Sequence, residues 1–202
     1  MATIEKNHFN PVEFNEGFIL LGSIDKTNFY FQYLRKSSFT YGEYQNELIL
    51  KKGETIKETL FEIDLEKMLL FIYSGKSQSD FLVRKLEAIC GDLFTPFEID
   101  FAKVFDLLRK SKYICRIEQI EIANFKYKDF LMGKYTANIQ EETTFRNIMN
   151  EYGLSVMKVV LSIEDYDGNF SLVKINKAGS FLFESYSENN SDILRYAVLN
   201  FL

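Results

Sequence analysis

Apolar residues along the chain fall into two rhythms, and the rhythms predict its elements. Gly17–Ser23 (GFILLGS) is a short continuous apolar run and reads as a buried strand. Glu47–Lys51 reads as a strand and Lys52–Gly53–Glu54 as a hairpin turn. Thr59–Leu65 and Met68–Tyr73 follow as strands joined by a turn at Glu66–Lys67. Between the first two strands, Phe29, Tyr33 and Leu34 have helical spacing within Asn28–Lys36, although the aromatic content also suits a strand. Ser37–Tyr44 reads as a polar connection.

A helical rhythm is clearer from Ser79 to Ile89. Phe81, Leu82, Leu86 and Ile89 form one stripe, Ser79 or Asp80 can cap the start, and Gly91 stands where a C-terminal glycine belongs. Asp92–Pro96 is the candidate boundary between halves, and Glu98–Lys110 predicts a connecting helix. Tyr113–Phe125 and Phe130–Asn138 read as strands, Glu142–Tyr152 as a helix ended by Gly153, and Leu154–Ile163 as a strand. Asp167–Gly168 signals a hairpin. Strands Phe170–Asn176 and Ser180–Tyr186, turning at Ala178–Gly179, and a helix opening at Ser191–Asp192 close the chain.

Part of this pattern recurs. At a shift of 112 residues, Leu60, Ile63, Leu70, Phe71, Ser79, Asp80 and Leu82 meet identical residues at Leu172, Ile175, Leu182, Phe183, Ser191, Asp192 and Leu194. The expected fold is therefore α+β, with two similar strand–helix–strands–helix halves forming a curved antiparallel sheet with helices on one face. The expected division is an arm at 1–16, a first half at 17–92, a connecting helix at 93–112 and a second half at 113–202. The order of elements resembles the duplicated saddle of the TATA-box-binding-protein fold. The likeness is one of element order alone, and no residue role comes with it.

Composition narrows the function more than it identifies it. The chain has 202 residues, 47% of them hydrophobic, with 20 Phe, 12 Tyr and no Trp. The formal net charge of −5 disfavours a protein that coats duplex nucleic acid through its phosphates. Cys90 and Cys115 sit in apolar settings and read as buried free thiols. Met1–Glu16 is polar and has no signal-peptide core, and the longest apolar runs are too short for a membrane-spanning helix. A cytoplasmic location is expected.

Each candidate chemistry meets a physical objection. Gly75–Lys76–Ser77 sits between a strand and a helix, but a phosphate loop needs glycine five positions before Gly75, and Leu70 is there. Asp165, Asp167 and Asn169 open like a calcium loop, yet strands flank them and the twelfth position is Asn176. His8 is the only histidine. Glu62, Asp64 and Glu66 share one strand face that reads as solvated, and Glu66–Lys67 fails the spacing of a nuclease-like acid–lysine pair.

No catalytic residue, metal ligand or cofactor is assigned. The preferred expectation is a non-enzymatic interaction module that binds a protein or its own copy. It would use the sheet face and an apolar C-terminus, with Tyr196, Leu199, Phe201 and Leu202 as partner-binding residues. The alternative is a nucleic-acid-binding component of a prokaryotic genome-maintenance or antiviral phage-defence system. That reading uses Lys112, Arg116, Lys126, Tyr127, Lys128 and Lys134, a basic stretch with interleaved aromatics.

Overall fold

A computed structural model describes residues 4, 6–10, 12–91, 94–103, 110, 114–127, 131–164, 168 and 170–184; at 126–127 and 131–132 the description is of backbone alone. The chain is α+β and divides into two compact units, Met1–Phe94 and Thr95–Leu202. Each unit has its own antiparallel sheet.

The first unit is a meander of β1 (Glu16–Ser23), β2 (Asn28–Gln45), β3 (Glu47–Asp64) and β4 (Leu69–Tyr73), followed by α1 (Lys76–Cys90). Its core forms because Phe18, Phe31, Tyr33 and Phe61 meet on one sheet face. Phe31 and Phe61 are direct cross-strand partners with rings stacked 5.1 Å apart. Leu82 and Leu86 of α1 are fully buried in the same cluster. A helix alone is marginal in water, so this apolar stripe is what holds α1 in place. Gly91 ends α1 at φ 75°, and its N–H reaches the Glu87 carbonyl.

Three sequence expectations change here. Asn28–Lys36 is strand, because Phe29, Phe31 and Tyr33 alternate, and Phe31 lies outside the helical spacing. Residues 37–44 are not a connection but the continuation of β2. Lys52–Gly53–Glu54 is strand interior, and the chain reverses instead at Asn46, whose φ is 66°. Gly53 serves packing rather than turning: a Cβ there would lie 2.7 Å from the Phe39 ring. Helix α1 also begins earlier than expected, with Gly75 rather than Ser79 or Asp80 at its N-cap.

The second unit contains β5 (Ile114–Tyr127), β6 (Leu131–Asn138), α2 (Glu142–Tyr152), β7 (Val156–Glu164), β8 (Phe170–Asn176) and β9 (Ser180–Phe183), in the sheet order β6-β5-β7-β8-β9. Ile120, Ile122, Leu161, Ile163 and Ile175 anchor its core, and Phe145 brings α2 onto it. Within the expected connecting helix, residues 101–103 and Lys110 are helical, and Ile99 and Phe101 are buried. The helix expected at Ser191–Asp192 lies outside the described residues, as do Asp165, Asp167 and Asn169.

The units differ in detail. The described first unit has no helix between β1 and β2. Ile63 pairs with Leu70, whereas their sequence counterparts Ile175 and Leu182 pair with Phe181 and Lys174. The turn at 65–68 has four residues and the turn at 177–179 has three. Side chains alternate with period two, so this one-residue offset changes faces. Leu70 packs against its core while Leu182 is exposed.

Candidate functional site

Of the basic stretch, Arg116 and Lys134 are the charged residues whose side chains the structure describes. Arg116 is exposed on β5 and Lys134 is exposed on β6. Between Lys134 and Lys158 stands Glu121, with one carboxylate oxygen 2.8 Å from each ammonium. The hydrogen bond from Lys134, then that from Lys158, holds the Glu121 carboxyl below its usual range, so it stays ionised and pairs with both ammonium groups. Lys174 is likewise paired with Glu184, at 2.6 Å. Lys126 and Tyr127 belong to β5, in register with Met132 and Leu131. Lys112 and Lys128 lie outside the described residues, as do Tyr196, Leu199, Phe201 and Leu202.

The polar groups elsewhere serve structure. Glu62 and Asp64 are 2% and 7% exposed, so this strand face is not solvated as the alternation suggested. Tyr73 donates to the Glu62 carboxylate at 3.0 Å, and Asp64 accepts from the Lys67 N–H at 2.9 Å, closing the β3–β4 turn. Only Ser74 and Gly75 separate β4 from α1, so Gly75–Lys76–Ser77 has no loop before it long enough to wrap a phosphate. His8 is exposed and pairs through its backbone with Phe18. Cys90 is exposed, contrary to expectation, because it closes α1 beyond the buried stripe; Cys115 is partly buried, and both are free. A cleft of about 710 Å³ in the second unit includes Glu98, Asp100, Glu151 and Lys177 in its lining. Lys177 is committed to the Leu154 carbonyl at 3.0 Å. Among the described residues no group of three His, Cys, Asp or Glu could hold a metal ion. No described helix is long and apolar enough to cross a membrane.

The feature that has no structural explanation is the outer length of β2 and β3. β1 pairs with β2 only as far as Arg35, and β4 pairs with β3 only as far as Leu60. Beyond those points, among the described residues, 36–45 pair with 47–56 and the one further backbone bond is from the Lys36 N–H to the Asn15 carbonyl at 2.7 Å. Ten cross-strand pairs at a strand rise of about 3.4 Å make a two-stranded arm of roughly 34 Å. A ribbon of two strands in water is at best marginally stable. This one also exposes large apolar groups. Tyr44, Leu48 and Leu50 are 78%, 67% and 69% exposed, and Phe39, Tyr41 and Ile56 are exposed as well.

Register sorts these side chains. Tyr44 opposes Leu48, Gly42 opposes Leu50 and Lys36 opposes Ile56, so Tyr44, Leu48, Leu50 and Ile56 share one face. Phe39 and Tyr41 lie on the other, with ring centroids 5.9 Å apart. Lys36, Lys51, Lys52 and Lys57 match Glu43, Glu47, Glu54 and Glu58 within residues 36–58, leaving no net charge. The sequence reading missed this arm. Its available signal was the run of Thr, Tyr, Phe and Ile on both sides of Asn46, which suits strand more than connection.

No protein-family model, curated protein or solved structure matches the chain.

Proposed function

We propose that this protein is a non-enzymatic interaction module that acts within a protein complex, and that the β2–β3 arm engages the partner. The carrying observation is the exposure of Tyr44, Leu48 and Leu50 on one face of a ribbon that no other strand of its sheet supports. A partner laid on that face would bury aromatic and aliphatic surface, the kind of contact that dominates protein interfaces. The arm's zero net charge favours protein over nucleic acid, since a ribbon that grips a duplex must neutralise phosphates. The reading does not rest on the duplicated saddle, whose two hairpins pair one residue out of step.

The test is cross-linking in the native host with the full chain and with a Tyr44→Ser, Leu48→Ser, Leu50→Ser variant. The variant is expected to fold, by circular dichroism, and to lose the cross-linked species. A folded variant that keeps every cross-linked species would overturn the arm's role. Binding of the wild type to DNA with a steep salt dependence, lost on Arg116→Glu with Lys134→Glu, would favour the nucleic-acid alternative.

A further inference from the structure

The arm has two open edges, and one of them is complementary to itself. Resting on the reading of the arm as the partner-binding element, we propose that its partner is a second copy of this chain. The two β3 strands pair antiparallel about a two-fold axis at Gly53. Edge strands with unpaired N–H and C=O groups are templates for another strand, and proteins normally block them. Here, among the described residues, no strand pairs with 47–58 of β3 on the side away from β2.

A two-fold axis requires each residue to meet a complementary one, because the same patch serves both copies. Centred on Gly53, the pairing sets Lys52 opposite Glu54 and Leu50 opposite Ile56, each twice. Lys52 and Glu54 are exposed, and neither makes an ion pair with another described residue. Even-numbered residues face one way, so the apolar face of one arm continues into that of its mate. Leu50 of each copy then lies beside Ile56 of the other, and with the neighbouring Leu48 and Tyr44 these form two apolar patches, one on each side of the central Lys52–Glu54 pairs.

The same charges reject the neighbouring registers. A shift that keeps these faces together moves the axis by one residue. It then sets Lys52 against Lys52 or Glu54 against Glu54. Like charges directly opposite are destabilising, so the lysines that would otherwise blunt this edge select one alignment instead. The β2 edge has no such pattern. Its one acidic residue between 36 and 45, Glu43, is already engaged by Lys51 and Gln45.

Sedimentation of the full chain tests the proposal. The wild type is expected to form a dimer at micromolar concentration. Lys52→Glu and Glu54→Lys are each expected to weaken it about tenfold or more, because each replaces two attractive pairs by two repulsive ones. Mixing the two variants should restore dimers, since every 52–54 pair across the interface is then opposite in charge. The double charge swap should restore them too. Circular dichroism confirms that each variant folds. A wild type that stays monomeric at 100 times that concentration overturns the proposal, as do single variants that dimerise normally or a mixture that fails to recover. The host cross-linking test separates the two readings. A monomeric wild type whose cross-linked species still depend on Tyr44, Leu48 and Leu50 refutes the second copy and leaves the arm's binding role standing.

Discussion

Glu16 shows how single residues hold the first unit. Its carboxylate accepts from the Tyr33 hydroxyl and the Lys85 ammonium, joining β1, β2 and α1. Burial works to raise its pKa, but the Lys85 and Tyr33 hydrogen bonds and the charges of Lys85 and Arg35 outweigh burial and hold it below the usual range. A carboxyl lowered in the folded state contributes stability above its ordinary pKa, and that contribution fades as pH falls through the lowered value. Glu16→Gln is therefore expected to cost about 0.5–1 kcal/mol at pH 7, modest because the pair is about a third exposed. The difference from wild type should shrink below about pH 4.3. Urea melts at pH 7 and pH 3.5 check this; an unchanged gap would contradict it.

Cysteine reactivity separates two residues that look alike in sequence. Burial alone pushes the Cys115 thiol up to about 12, while Cys90 is exposed. The thiolate is the reacting species. At pH 8, iodoacetamide should label Cys90 and spare Cys115 until denaturant is added, as read by mass spectrometry of the intact chain. Comparable labelling of both in the folded protein would refute the burial of Cys115.

At the scale of elements, helix α1 and the arm have opposite supports. α1 is secured by Leu82 and Leu86 and closed by Gly91 in the left-handed region. A Cβ at Gly91 would meet nothing within 4 Å, so Gly91→Ala tests backbone strain alone. It should destabilise the first unit by about 1 kcal/mol, read as a shift in the urea midpoint. The arm lacks such support. Its cross-strand hydrogen bonds lie in an exposed ribbon, so amides in 36–45 and 47–56 should exchange with deuterium well before those of Phe31 and Tyr33, which have strands on both sides. Raising the protein concentration should slow exchange along 47–58, the β3 edge, more than along 36–45. Equal protection of arm and core at high dilution would contradict the picture of an unsupported ribbon.

For the whole molecule, the two described cores have no residue in common. Phe31 and Phe61 belong to one, Leu161 and Ile175 to the other. Phe31→Ala is expected to cost about 3–5 kcal/mol and Ile175→Ala about 2–5 kcal/mol. Each should lower mainly the unfolding of its own unit, read as two calorimetric transitions or as two sets of exchanging amides. A uniform loss of protection across both units after either substitution would show that they unfold as one.

Much of the fold was legible because it is encoded locally. The stripe Phe81, Leu82, Leu86 and Ile89 with Gly91 behind it specified α1, and Phe145, Ile148 and Met149 specified α2. The runs at 17–23, 69–73 and 170–176 specified strands, and Gly179, at φ 77°, the turn between β8 and β9. In each case the residues that decide the conformation are within a few positions of one another. The arm was not legible for the converse reason. Residues 37–44 carry Ser, Thr, Gly and Glu as a connection would, and they become strand only because 48–55 lie beside them in register. The same holds for Gly53, which resembles a turn residue until Phe39 from the other strand covers it. Glu62 and Asp64 look solvated by their alternation and are buried by what the fold places over them. By itself the sequence determined which segments are helix or strand where the pattern is short-range, and that the chain is α+β. Only the tertiary structure decided strand partners, the offset of the two hairpins, the pairing of Lys134 and Lys158 with Glu121, and which apolar residues reach solvent. Those depend on contacts between residues distant along the chain, and a period of two or 3.6 carries no record of them.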